Sequence, residues 1–316
     1  MMTIRDILGN FDKNNDFDLA KRLQPKLNKD ENISVLLLWK NDERILEELK
    51  QIGKIEYTKK VVVSERGKYN LLDQIHCWKP WWRTHLAIET RKRIPNSSFM
   101  MYVFTGKNLF EKVKEWKYGV RRKLGIDKTY FHISDPDCYD HLGQQCSCPV
   151  SYNEYNIETM RHINMFLHKN TFEFINQRII KDLPMFDRFL KLYHEWLPVD
   201  RTKFCIDNGG TLGAYGIRDT HDLDFLYIDD WINTGIVGVD CHNVHFRDAV
   251  KSCNYDYDKD NIINDPKLYF YHYGMKVCVM DIVQRIKEKR LVHGARRPKD
   301  VNDGILIRNF FRGIPQ

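Results

Sequence analysis

The sequence predicts two domains: an α/β layer domain over residues 1–155 and, over residues 156–316, a second domain that mixes helices with short strands. Three observations carry that expectation. Apolar runs at Ile33–Trp39, Lys59–Val63 and Ser98–Phe104 alternate with stretches of helical period. A polar stretch from Asp135 to Ser151, broken by Pro136, Gly143 and Pro149, reads as connecting loop. Beyond it, Lys203–Ile228 reads as strand, glycine turn, short helix, strand.

The first domain follows in order. Residues 1–30 are polar and broken, a helical arm. Ile33–Trp39 is a continuous apolar run suited to a strand covered on both faces. Asp42–Ile52 has Ile45, Leu49 and Ile52 on one helical face and Gly53 as its stop. The β-rich Lys59–Val63 leads to a helix near Tyr69–Trp78, and Ser98–Phe104 is a second buried strand. A helix over Leu109–Arg122 then precedes a strand at Tyr130–Ser134. Strands that alternate with helices predict mostly parallel pairing. In the second domain helix resumes near Asn156. Over Met185–Leu197, the residues Phe186, Phe189, Leu190, Tyr193, Trp196 and Leu197 fall at helical spacing, a core-facing stripe ended by Pro198.

Composition narrows the function. With 42% hydrophobic and 13% aromatic residues, the 316-residue chain can build real cores. No apolar stretch approaches the ~20 residues that span a bilayer, so no membrane span and a cytoplasmic location are expected. A net charge of +7 suits an anionic substrate without requiring nucleic acid, which is not expected as a partner. The basic run Lys112–Lys123 is read as the solvated face of a helix, with phosphate contact through Lys117, Arg121 and Arg122 as the alternative. Neither a dinucleotide fingerprint nor a P-loop occurs.

Of the eight cysteines, Cys205 and Cys278 fall inside apolar strands and read as core residues. His132, Cys138, His141, Cys146 and Cys148 offer zinc-type ligands but no Cys-x-x-Cys spacing, so a loop with unpaired thiols is expected there. Asp256–Lys267 has Asn261 where a calcium loop needs glycine and Lys267 where it needs a bidentate glutamate, which excludes an EF-hand.

The chemistry concentrates in Asp207–Tyr227. Gly209 and Gly210 let backbone amides approach a phosphate, with the Thr211 hydroxyl as a further donor. Strand alternation puts Asp222 and Asp224 on one face, where they can hold Mg²⁺ or Mn²⁺. Asp-x-Asp spacing recurs at Asp16/Asp18, Asp135/Asp137, Asp256/Asp258 and Asp258/Asp260, so context singles this pair out. Arg218 can stabilise charge on a transferred or leaving group, or form an ion pair with Asp219 or Asp222. Lys276, Lys287 and Lys299 are candidate phosphate contacts.

The run Gly209–Arg218 followed by Asp222-Leu-Asp224 resembles the signature of the nucleotidyltransferase-fold superfamily, nearest in look to polysaccharide-associated and LicD/fukutin-like members. Asp265–Lys276, Lys287–Arg290 and Arg297–Asp300 are similar to the second half of such domains, so the resemblance covers about residues 185–310. It implies an α+β nucleotidyltransferase-like catalytic domain with a small mixed sheet. It also implies a third carboxylate, for which Asp281, in the apolar run Lys276–Val283, is the candidate and Asp207 the rival. The activity implied is metal-dependent transfer of a nucleotidyl or substituted phosphoryl group from a nucleotide donor, in glycan or surface-polysaccharide synthesis. The acceptor is a glycan or phosphorylated compound, and the first domain binds donor or acceptor. The alternatives are an Asp-x-Asp glycosyltransferase using a nucleotide sugar and an inactive nucleotide-binding protein of the same fold.

Overall fold

The structure, a computed structural model, describes residues 31–76, 82–134, 157–180, 203–229, 232–241, 243, 257–293 and 297–313. The chain divides into two compact units, 1–176 and 177–316, so the boundary falls 21 residues beyond the expected one (176 against 155). The helical region after Asn156 joins the first unit because its helix α5 packs on β1 and α2 of that unit, as defined below. The expected helix Met185–Leu197 lies outside the described residues.

In the first unit, strands β1 (Glu31–Leu38), β2 (Lys54–Val62), β3 (Ser98–Lys107) and β4 (Phe131–Ile133) form one sheet in the order β2-β3-β1-β4. Helices α1 (Glu43–Lys50), α2 (Glu65–Ile75), α3 (Trp82–Arg93), α4 (Leu109–Leu124), α5 (Ile157–Leu167) and α6 (Lys169–Gln177) accompany it. Every hydrogen-bonded pair is antiparallel, which corrects the expected parallel pairing. Alternation does make β1 and β2 run the same way, but β3 lies between them. In turn β1 lies between β3 and β4. The result is two interlocked split β-α-β units. A helical crossover fixes strand direction; it does not fix adjacency.

β1 is central, and Val35, Leu36, Leu37 and Leu38 are at most 1% exposed, as a run covered on both faces requires. Leu36, Leu38, Ile45, Leu49, Phe104, Trp116 and Phe131 pack into one core. Asp42 caps α1 by accepting from the Arg44 amide, and Trp116 Nε1 donates to the Glu48 carbonyl at 2.9 Å. In α4, exposed Lys112, Lys114, Arg122 and Lys123 surround buried Val113, Trp116 and Val120, and Gly125 closes the helix at φ 64°. The basic run is therefore a solvated helix face. Arg121 is the exception, donating to the Phe131 carbonyl and lying over its ring.

The second unit holds β5 (Phe204–Ile206), β6 (Leu223–Tyr227), β7 (Val239–Cys241), β8 (Tyr269–His272) and β9 (Met275–Cys278) in the order β7-β6-β5-β9-β8. Pairings β5/β9 and β6/β7 are parallel, β5/β6 and β8/β9 antiparallel: a small mixed sheet. Its described helices are α7 (Gly209–Ala214), α8 (Lys259–Asn264), α9 (Met280–His293) and α10 (Pro298–Phe311). The acidic stretch excluded as a calcium loop contributes α8, with Asp258 as its N-cap. Among the described residues no helix is long and apolar enough to cross a membrane.

Candidate functional site

The short strand β5 is wholly buried, and its antiparallel register pairs Phe204 with Tyr227, Cys205 with Leu226 and Ile206 with Phe225. The next step in that register sets Asp207 opposite Asp224, and the Asp207 amide donates to the Asp224 carbonyl at 3.1 Å. Opposed residues of an antiparallel pair point to the same face. Across the parallel β6/β7 ladder, Asp224 is in register with Asp240. Three carboxylates from three strands thus line one face at one end of the sheet, and Asp222 belongs to the same alternation one step before the strand. Asp207 is buried, Asp222 and Asp224 are half-buried, and Asp240 is exposed, so the row runs from core to surface. Further along this face Cys205, Leu226 and Cys278 enter a core with Ile262, Ile263 and Tyr269.

The glycine turn begins α7. Gly210 donates its amide to the Asp207 carbonyl, and a Cβ added there would come within 2.4 Å of Ile206 Cγ2 and 3.0 Å of Leu223 Cδ1. Only glycine lets this helix lie so close to both strands. At Gly209 an added Cβ would lie 3.3 Å from Arg218 Nη2 and 4.0 Å from Asp222 Oδ1, so the turn, the arginine and the first carboxylate of the pair converge. The Thr211 hydroxyl donates to the Cys278 carbonyl at 3.1 Å; it ties α7 to β9 and is committed to structure, not to a phosphate.

Arg218 is held by a residue that sequence reasoning missed. Its Nε donates to Asp303 Oδ1 at 2.7 Å, Nη2 to Asp303 Oδ2 at 3.4 Å, and Nη1 to the Asp219 carbonyl at 2.8 Å. The ion-pair partner is Asp303 of α10, in place of the side chains of Asp219 or Asp222. Lys287 of α9 reaches Asp300 at 2.7 Å and Asp303 at 2.9 Å, and Arg297 completes the network on Asp300 at 2.7 Å. Lys287, Asp300 and Asp303 are 3%, 1% and 1% exposed, so Lys287 is a buried counter-ion and not a phosphate contact. No signal in the sequence joins Arg218 to a residue 85 positions away.

Two other expected residues stand elsewhere. Lys276 is buried, donates to the Ile263 carbonyl at 2.7 Å and lies over the Tyr269 ring, which engages it inside the unit and not at a phosphate. Asp281 is not on a strand: β9 ends at Cys278, and Asp281 lies exposed in the first turn of α9, where a carboxylate complements the helix dipole. The apolar run crosses from strand into helix without a break in composition, so its end was invisible in the sequence. Asp207, the rival, stands opposite Asp224 in the continued β5/β6 register. Lys299 is exposed on α10. Thr220, buried two residues before Asp222, keeps a hydroxyl without a hydrogen-bond partner among the described residues.

Carboxylate oxygen is the ligand type that suits Mg²⁺ or Mn²⁺ over softer ions, but among the described residues these aspartates do not converge into a metal-sized cluster. Cys205 and Cys278, both fully buried, do not alter this. Burial pushes both thiols well above their ordinary range, so neither is a thiolate near neutral pH. In native protein at pH 8 both are expected to resist iodoacetamide and to react once the chain is unfolded, which peptide mass spectrometry checks. No family model matches the chain, and no curated protein or solved structure matches it either.

Proposed function

We propose that the second unit carries a metal-dependent transferase site that moves a nucleotidyl or substituted phosphoryl group from a nucleotide donor to a glycan or phosphorylated acceptor. The observation that supports it best is the meeting, at one sheet end, of the aligned Asp207, Asp224 and Asp240 with the Gly209–Arg218–Asp222 convergence. Asp222 and Asp224, with Asp207, would hold Mg²⁺ or Mn²⁺, which supplies charge neutralisation for donor phosphates. Arg218 uses three donor groups on Asp303 and Asp219, and a guanidinium has five N–H donors, so two stay available for an oxyanion. Its anchoring on Asp303 removes rotamer freedom in advance of binding. The Thr220 hydroxyl is a further donor. The glycine turn and short helix between the two strands favour this reading over an Asp-x-Asp glycosyltransferase, which has no need of them.

The test is thermal shift of the full chain with nucleoside triphosphates and nucleotide sugars, each with and without Mg²⁺ or Mn²⁺. At least one ligand is expected to stabilise the parent only when metal is present, by about 2.7 kcal/mol at a hundred times Kd. The Asp222→Asn/Asp224→Asn protein is expected to stay folded and lose that response entirely. A double variant that responds like the parent would remove the site from this sheet end.

A further inference from the structure

A second cluster, in the first unit, joins elements far apart in sequence. His132 stands on β4, and Glu158 and His162 stand one turn apart on α5. One ring nitrogen from each histidine and one Glu158 carboxylate oxygen lie within 4.8 Å of one another. His132 Nε2 is 3.1 Å from Glu158 Oε1, close to the edge of about 3.3 Å of a tetrahedron with metal–ligand bonds near 2.0 Å. The two rings face each other at 5.0 Å between centroids, tilted by 37°.

His162 gives the cluster its direction. Its Nδ1 is 2.6 Å from the Glu158 carbonyl oxygen, so Nδ1 carries the proton and donates it. The lone pair then lies on Nε2, which is buried and has no hydrogen-bond partner among the described residues. An unsatisfied buried acceptor is costly, whereas a ring that donates one N–H to a backbone carbonyl and offers its other nitrogen is the arrangement of metal-bound histidine.

The surroundings fix which residues take part. The His76 ring packs edge-on against His132 at 5.5 Å, but its Nε2 faces Arg93 Nη1 at 3.0 Å, which makes it a wall and not a ligand. Arg93 is itself paired with Glu89 at 3.1 Å. Arg161, also buried, is a nearby cation and lowers the affinity of the site for any dication. Two imidazoles and one carboxylate favour zinc over magnesium or calcium.

We propose that His132, Glu158 and His162 bind a zinc-class dication that ties the three-residue edge strand β4 to α5. The full chain is stripped with chelator, supplied with Zn²⁺, gel-filtered and assayed for metal. One equivalent is expected in the parent and equally in the Asp222→Asn/Asp224→Asn protein, which separates this ion from the one in the second unit. Glu158→Gln and His162→Gln are each expected to weaken binding at least ~100-fold, beyond the 10–100-fold loss typical of removing an outer partner. Glu158→Gln should melt as the metal-free parent does, because it keeps a polar group opposite His132; His162→Gln loses the ring's hydrogen bond to the Glu158 carbonyl and is expected to melt lower, so its zinc content is read well below its melting temperature. Substituted Co²⁺ should show no thiolate charge-transfer band. A parent that retains no zinc, variants that retain as much as the parent, or a thiolate band would each overturn the assignment.

Discussion

Lys287→Ala is expected to destabilise the second unit by about 3–5 kcal/mol, the cost of removing one partner from a buried ionic network. Lys287 sits between Asp300 and Asp303, at 2.7 and 2.9 Å, and all three are nearly inaccessible. Removing the ammonium leaves two buried carboxylates side by side, with Arg218 and Arg297 each holding only one of them. Arg297→Ala is the contrast: its side chain is 57% exposed, and its pair with Asp300 is worth about 0–1 kcal/mol. Urea denaturation of the two variants measures the difference, and a Lys287→Ala loss below about 1 kcal/mol would remove the network from any role in stability. The network also predicts an acid limb. Burial alone would raise the Asp300 carboxyl, but hydrogen bonds from Arg297 and Lys287 outweigh it and hold the pKa below the ordinary value. Its stabilisation is therefore present above the unfolded carboxylate pKa of about 3.9 and is lost as pH falls through the lower folded value.

Gly216→Ala is expected to cost at least about 3 kcal/mol, for two separable reasons. Gly216 has φ 71°, and a β-carbon in that left-handed region costs about 1–2 kcal/mol. In addition the new Cβ would lie 2.0 Å from the Ile179 carbonyl oxygen and 2.9 Å from its carbon, inside van der Waals contact. Ile179 cannot retreat without breaking its amide hydrogen bond to the Tyr215 carbonyl, 2.9 Å long. Gly235→Ala isolates the first reason: φ is 67° there, and nothing lies within 4 Å of the added carbon. That variant should lose only about 1–2 kcal/mol. Equal losses at the two positions, measured by urea denaturation, would show that the Ile179 contact yields.

The segment β5–α7–β6 was legible because its information is local: an apolar approach, glycines that permit close packing, and alternating carboxylates. Most of the first unit's elements were legible for the same reason. Their helices and strands follow from the period of apolar residues, and Asp42 and Gly125 mark ends by capping chemistry; the Ser64 cap was not read, and α2 starts at Glu65, ahead of the expected start near Tyr69. What the sequence hid is long-range. It could not show β3 inserted between β1 and β2, nor Asp303 behind Arg218. His132 pointed toward the neighbouring cysteines, whereas the structure sets it beside Glu158, 26 residues on; Cys138, His141, Cys146 and Cys148 lie outside the described residues. Asp281 was misplaced for a different cause, since Val279 and Met280 are as compatible with the end of a strand as with the start of a helix.

The insertion of β3 beside β1 has a cost during synthesis. About 60 residues separate Leu38 from Ser98, so at roughly 5–20 residues per second the most apolar segment of the chain leaves the ribosome several seconds before its principal neighbour exists. During that interval Ile33–Trp39 is a sticky nascent tail, and translation speed or holdase supply should govern the yield of intact protein.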